Sequence, residues 1–483
     1  MPADSSRPLG APELGAEQSN LARVFARQKA AFAAAPAPDK AERVRRLDAL
    51  AGAMEKNEQR IIKAINDDFG NRSGVETILA ELIMTASAIK QAKHNLSRWM
   101  RPRNVPTPLK LAPGKSRLEP QPLGVIGIIA PWNYPFQLAL SPAATALAAG
   151  NRVMIKPSEL TPHLSALMAE IIREAFPEDV LAVIVGGVDV GQAFAATPFD
   201  HLLFTGSTGV GQRVAEAAAK NLTPVTLELG GKSPVIVDQG ADIASAARSI
   251  AHGKTFNAGQ TCIAPDYVLA PKGQTEAIAE AVASAARKLY PEIDMTSDYT
   301  SIISDRHFAR LKSMVEEARD AGAKIIEVGS SNALHPQRKI PLTIVIEPPA
   351  NTRMMQEEIF GPVLPVLSVA SADAAIEHVN KGERPLALYW FGKDNAARDK
   401  VLTRTISGGV TVNDTLWHFA QENLPFGGVG KSGMGAYHGD KGFETFSHMK
   451  PVFYQSRFSS GAMLHPPYTE KTSKLLNLIR KIA

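Results

Sequence analysis

From Gly124 to about residue 415 the chain alternates short apolar runs with stretches of helical periodicity. No other feature constrains its fold as strongly. Val125 to Ile129 is too short for a core helix and rich in β-branched side chains, so it reads as a buried strand. Ser141-Pro142 is expected to open a helix, as N-cap and first-turn proline, that Gly150 closes. Val153 to Ile155 is the next strand, and Thr161-Pro162 opens a helix carrying Leu164, Leu167, Met168, Ile171 and Ile172. Val180 to Val185 and His201 to Thr205 follow as strands. This βαβα rhythm predicts an α/β fold whose parallel sheet is covered by helices on both faces. After Gly230 the rhythm restarts with strand Val235 to Val237, helix Asp242 to Phe256 and strand Pro265 to Ala270, so a second α/β domain is expected, with residues 228–262 at the seam.

The ends read differently. Residues 1–20, rich in Pro, Ala and Ser, are expected to be disordered, and Ala31 to Pro38 a linker. Asp39 and Glu42 form a capping-box pattern ahead of Val44, Leu47, Leu50 and Met54. Helical patterning then runs to Trp99, where Pro102, Pro106, Pro108 and Pro113 break it. Lys471 to Ala483 forms an amphipathic basic tail, for which an interfacial helix or simple packing both stand.

Charge and cysteine content exclude several function classes. The 53 basic and 48 acidic residues leave a net charge of +5 without a long basic run, which argues against nucleic acid. No stretch is apolar enough for a signal peptide or a membrane span; Phe136 to Ala149 is too short and contains Ser141 and Pro142. One cysteine, Cys262, excludes an intrachain disulfide and a multi-cysteine zinc site. The two histidines nearest in sequence are His438 and His448, so local histidine metal spacing is absent. A reducing cytoplasm is the expected compartment.

Several short motifs carry chemistry. Cys262 ends Asn257-Ala258-Gly259-Gln260-Thr261-Cys262, a loop of small polar residues suited to a nucleophilic thiol. Glu228 closes the apolar run before Gly230-Gly231-Lys232, where burial would raise its pKa towards that of a useful base. Ala130-Pro131-Trp132-Asn133-Tyr134-Pro135 clamps an asparagine between prolines, and a rigid amide can donate to an oxyanion. Lys156 and Glu159 follow a strand, at the edge of a parallel sheet where ligands bind; an ordinary charged turn is the alternative. Gly206-Ser207-Thr208-Gly209 joins a strand to a helix, as a phosphate site requires and as a simple tight turn also requires. Gln356-Glu357-Glu358-Ile359-Phe360-Gly361 offers a carboxylate for ribose hydroxyls, or a solvated pair of glutamates. Phe426 to Gly435 lacks P-loop spacing and reads as a loop where backbone passes backbone.

Together the motifs PWNYP, KPSE, FTGST, LELGGK, GQTC, EEIFGP and the late FGG loop occur in the order seen in aldehyde dehydrogenases. The chain resembles that superfamily from about residue 40 to 460. Its GKSGMGAYHG and FETFSH segments are similar to the class 3 branch, and two stretches around Asn133 and Cys262 look like bacterial coniferyl-aldehyde dehydrogenases. The resemblance implies a Rossmann-like cofactor domain (21–105 and 124–229), an α/β catalytic domain (230–430), a small β oligomerisation element (106–123 and 440–460) and a tail (461–483). It implies Cys262 as nucleophile, Glu228 as water-activating base and Asn133 as oxyanion donor. Lys156, Glu159, Gly206, Ser207, Trp132, Glu358 and Phe360 would hold NAD, with NADP possible. NAD is preferred because Glu159 would repel a 2′-phosphate. Tyr134, Trp417 and Phe426 are the aromatic candidates for the aldehyde pocket, unless they are ordinary core. A coniferyl-type aromatic aldehyde or a medium- to long-chain aliphatic one is the expected substrate. A homodimer with no metal, no nucleic acid and no transmembrane anchor is expected. A cysteine hydrolase and a non-enzymatic binding protein on the same scaffold are the competing readings.

Overall fold

Strands form where β-branched and apolar residues cluster, and the sheets they build set the geometry of everything below. The structure, a computed structural model, describes residues 16–293, 295–329, 337–458 and 464–482. Strands β1 (Arg103–Val105) and β2 (Lys115–Pro122) precede the first large sheet. That sheet contains β3 (Val125–Ile129), β4 (Arg152–Lys156), β5 (Leu181–Val183), β6 (His201–Gly206) and β7 (Val225–Leu229). Its five strands are mutually parallel and almost wholly buried, as helices on both faces require. The spatial order is β7-β6-β3-β4-β5. The chain winds outward from β3 to β5, then returns to the far side as β6 and β7. The two halves diverge between β3 and β6, and a crevice opens at their carboxyl ends.

The second sheet uses β8 (Pro234–Val237), β9 (Tyr267–Pro271), β10 (Lys324–Glu327), β11 (Thr343–Ile346), β12 (Val363–Val369), β13 (Ala387–Phe391) and β14 (Gly409–Val412). Its order is β10-β11-β12-β9-β8-β13-β14, parallel except for the antiparallel edge strand β10. β15 (Gly433–Met434) leaves this sheet and pairs antiparallel with β7 of the first, setting Gly433 opposite Glu228. β16 (Ser447–Tyr454) pairs antiparallel with β2 from Ser447↔Pro122 to Tyr454↔Lys115, and β1 lies on the other side of β2. One cluster of buried side chains, including Ile128, Phe136, Leu147, Val268 and Tyr389, runs from the first sheet into the second.

Four boundaries differ from expectation. A helix covers Ala16–Ala34, so residues 16–20 are ordered and the start of the supposed linker is helical; residues 1–15 lie outside the described residues. Leu21 and Val24 are buried, and Gln28 donates to the carbonyls of Val153 and Glu178 at 3.0 and 2.9 Å. Tertiary burial thus holds a segment whose composition suggested none.

The helix expected to open at Ser141-Pro142 instead spans Gln137–Ala148 with Pro142 inside it. The buried carboxylate of Glu81 accepts from the amides of Phe136 and Gln137 at 2.8 and 2.9 Å, which caps the helix earlier. Pro142 then removes one interior hydrogen bond, tolerated because every residue of this helix is buried. The small sheet begins at Arg103 rather than 106, and residues 440–445 belong to the helix Gly439–Thr445 rather than to a strand. The tail forms the helix Glu470–Ile482, with Leu476 and Leu478 exposed.

Candidate active site

A cavity of about 840 Å³ lies where the carboxyl edge of the first sheet meets the amino edge of the second. Residues at the ends of β3, β4 and β6 or just after them line one side: Trp132 and Asn133, Lys156 and Glu159, Ser207 and Thr208. Residues that precede β8, β9, β12 and β13 line the other: Gly230, Cys262, Glu358 and Leu386. Glu228, near the end of β7, stands at the junction.

The loop bearing Cys262 is shaped by three consecutive left-handed residues, Asn257, Ala258 and Gly259, with φ of 51°, 51° and 71°. Asparagine and glycine tolerate that region, and Ala258 is held there by its surroundings. A Cβ on Gly259 would lie 2.5 Å from the Gly361 carbonyl oxygen, so only glycine lets the two segments pass. Side chains then lock the loop. Gln260 donates through Nε2 to the carbonyls of Asn257 and Ser301 and accepts from the Ile303 amide at 3.0 Å. Asn257 donates to the carbonyl of Asn133 at 3.1 Å, and buried Glu76 accepts from the Asn257 amide. Asn133 donates one amide hydrogen to the Gln260 carbonyl at 3.1 Å, which orients its side chain and leaves the second hydrogen for the cavity. The sulfur of Cys262 is half-buried and lies within reach of its own amide and that of Ile263. Burial, with the charges of Glu358 and Glu228, pushes its pKa up to about 12, so the resting group is the neutral thiol.

Glu228 is 2 % exposed and neither carboxyl oxygen has a hydrogen-bond partner. Burial alone holds its pKa well above the usual carboxylate range. A buried, orphaned carboxyl in a cavity is costly to stability and suited to proton transfer. Tyr437, which the sequence did not single out, lines the same cavity with its hydroxyl also unpartnered. Burial, then the charges of Glu228 and Cys262, raise its pKa. An antiparallel bridge between Phe426 and Tyr437 positions it, a long-range pairing with no local signal.

The other end of the cavity suits an extended anionic ligand. Ser207 stands as N-cap of the helix Thr208–Ala219, whose first two amides, those of Thr208 and Gly209, have no helical partner and whose dipole favours a phosphate. Gly206 makes room for the Phe204 ring, which a Cβ there would approach to 2.6 Å. Lys156 is buried, its ammonium bonded to the Pro157 carbonyl at 2.8 Å, while Glu159 is exposed at the rim. Glu358 presents an unpartnered Oε1. Its pKa is pushed up to about 8 by burial and Asp266, against the opposing amide of Gly231. Gly230 makes room for it, since a Cβ there would fall 2.0 Å from Glu358 Oε2. Trp132 meets Phe360 edge-on at 5.4 Å, and Phe360 itself has φ of 50°. These donors, the orphaned carboxylate and the helix terminus at Ser207 fit a dinucleotide.

The aromatic candidates separate. Phe426 lines the cavity. Tyr134 lies beneath it, bonded through its hydroxyl to Thr261 Oγ1 at 2.7 Å, and supports the loop instead. Trp417 is 64 % exposed and does not line the cavity; left-handed Leu416 before it turns the short helix Trp417–Ala420 so that His418 is the buried member. Among the described residues His307 is the one histidine lining the cavity, and its Nδ1 is bonded to Ser304 at 2.7 Å while its ring packs on Trp132. No hydrogen bond joins its ring to Cys262, so the thiol–imidazole pair a cysteine hydrolase needs is not formed. Among the described residues no group of three or more His, Cys, Asp or Glu side chains is arranged to hold a metal ion.

Comparison with known proteins follows the same lines. Residues 2–452 match the aldehyde dehydrogenase family. A probable coniferyl aldehyde dehydrogenase of Caulobacter vibrioides is 48% identical over 461 residues, covering 94% of this chain and 95% of the relative. The substrate-bound state of AldH from Staphylococcus aureus superposes with a TM-score of 0.90 at 40% identity, over 95% of this chain and 99% of that one. A Mycobacterium tuberculosis aldehyde dehydrogenase complexed with NAD+ superposes with a TM-score of 0.81 at 27% identity, over 91% and 90%.

Proposed function

The chain belongs to the aldehyde dehydrogenase family and is an NAD-dependent aldehyde oxidoreductase; from that premise we propose that Cys262 is its nucleophile, Glu228 its base and Asn133 its oxyanion donor. The observation that carries this reading is their meeting in one cavity, beside residues suited to a dinucleotide. Cys262 is expected to give up its proton to solvent, and its thiolate to attack the aldehyde carbonyl. The free hydrogen of the Asn133 amide and the Cys262 backbone N–H would hold the resulting oxyanion. NAD, when bound, supplies the hydride acceptor that converts the thiohemiacetal to a thioester. Glu228 then takes a proton from water, which attacks the thioester carbon and expels the Cys262 thiolate with the carboxylic acid.

The first sheet, with residues 21–105, would hold the dinucleotide. Lys156 and Glu159 would meet the adenosine ribose, and Gly206 with Ser207 the pyrophosphate. Glu358 would meet the nicotinamide ribose, with Trp132 and Phe360 packed beside it. Residues 230–430 would form the catalytic domain. The small sheet of β1, β2 and β16 would form the contact of a homodimer, since β16 ends it with an unpaired edge. The single cysteine supports a cytoplasmic location.

For the substrate we propose an aromatic aldehyde of the coniferyl type. The name of the Caulobacter relative and the aromatic wall of Phe426 and Tyr437 support it. Ranking coniferyl, benzaldehyde-type and long aliphatic aldehydes by kcat/KM with NAD tests this. Aromatic substrates are expected to lead, and a uniform preference for long aliphatic aldehydes would overturn the assignment.

A further inference from the structure

The helix Ala16–Ala34 brings an acidic residue to the turn behind the cofactor end of the cavity from a part of the chain with no motif. It packs on β3, β4 and the helix Val188–Ala195. Its Glu17 reaches the turn after β5, where a Cβ on Gly186 would lie 2.9 Å from Glu17 Oε2. The next residues of that turn, Gly187 and Val188, line the cavity. Asp189 follows in the first turn of its helix, with Oδ1 3.1 Å from the place of a Cβ on Gly187. Lys156, at the end of the adjoining strand β4, feels both groups. Burial lowers its pKa, and the carboxylates of Glu159, Asp189 and Glu17, in that order, oppose the lowering. Three exposed carboxylates from three segments therefore act through space on one buried ammonium.

We propose that Glu17 and Asp189 are cofactor-selecting residues that extend the work of Glu159, forming a carboxylate fence behind the cavity wall that repels a 2′-phosphate through space. The proposal rests on reading this cavity as the NAD site. A 2′-phosphate carries nearly two negative charges at neutral pH, so each nearby carboxylate opposes it through space. Two cations line the cavity near this end, Lys156 and, on the helix Thr208–Ala219, Arg213. Lys156 already feels the three carboxylates through space, so its charge is partly offset before any phosphate arrives. The fence acts on choice between cofactors and needs no contact with the reacting atoms.

Calorimetric titration of the full-length protein with NAD and NADP tests this without turnover. The double variant Glu17→Gln, Asp189→Asn is expected to shift the ratio of the two dissociation constants towards NADP by roughly 3- to 10-fold, each single variant by less. Titration with AMP and with adenosine 2′,5′-bisphosphate should show the same shift, because only the 2′-phosphate differs. The shift should shrink as salt rises from about 20 to about 500 mM, as a through-space effect must. An unchanged ratio in the double variant, with NAD still bound by the wild type, overturns the proposal alone. A wild type that binds neither dinucleotide overturns it together with the reading of the cavity.

Discussion

At the scale of single residues, chemistry is concentrated in groups the fold leaves unsatisfied. Cys262→Ala should abolish NADH formation while dinucleotide binding persists, because no second thiol exists. Steady turnover by that variant would refute the covalent route. Glu228→Gln should give a burst of up to one NADH per site and then stall, with an acyl group on Cys262 by intact-protein mass spectrometry. Its stability should also respond differently to pH. Folding raises the Glu228 pKa, so the native state keeps a proton that the unfolded chain releases above its ordinary carboxylate pKa. That contribution is full at acid pH and is lost as pH rises towards the folded pKa. The melting temperature of the variant should therefore gain on wild type between pH 5 and pH 8, and parallel curves would argue that Glu228 ionises freely. With thiol and carboxyl both shifted upward, wild-type kcat/KM should climb from pH 6 towards pH 9.

At the scale of elements, the site depends on contacts between segments far apart in sequence. Arg72 and Glu81 are fully buried and joined at 2.9 Å. Arg72 also donates to the Asn133 carbonyl at 3.0 Å, and Glu81 caps the helix Gln137–Ala148. Glu81→Ala would strand the guanidinium and uncap the helix, so a loss of about 3–5 kcal/mol is expected in denaturant unfolding. Surviving protein should show a lower kcat through Asn133, because its carbonyl loses a fixed donor. Gly230→Ala probes a different joint. The new methyl would displace Glu358, so KM for NAD should rise more than KM for aldehyde, and equal rises would show a general distortion instead.

At the scale of the whole molecule, the cavity exists only because two parallel sheets face each other edge to edge. Neither sheet alone supplies both the thiol and the carboxyl: Cys262 precedes β9 of the second, and Glu228 lies in β7 of the first. The third sheet is small, with β16 half-exposed along most of its length and Phe453 and Tyr454 both more than 40% exposed. Sedimentation should give about twice 51.7 kDa if this edge joins two copies, and a monomer at micromolar concentration would remove the dimer from the account.

What the sequence determined by itself is what short-range chemistry writes into neighbouring residues. The parallel strands from Val125 to Leu229, the capping of the second helix by Asp39 and the loop around Cys262 follow from periodicity, turn residues and side-chain type. The site motifs were legible for the same reason, since Asn133, Lys156, Ser207, Glu228 and Cys262 each sit in a stereotyped local setting. Tertiary structure decided whatever depends on partners distant in the chain. It ordered Ala16–Ala34 through burial of Leu21 and Val24, moved a helix start from Ser141 to Gln137 through Glu81, and turned Trp417 outward while bringing Tyr437 in. It also set the thiol and carboxyl pKa values, because desolvation is a property of the surrounding atoms and not of the residue or its neighbours in sequence.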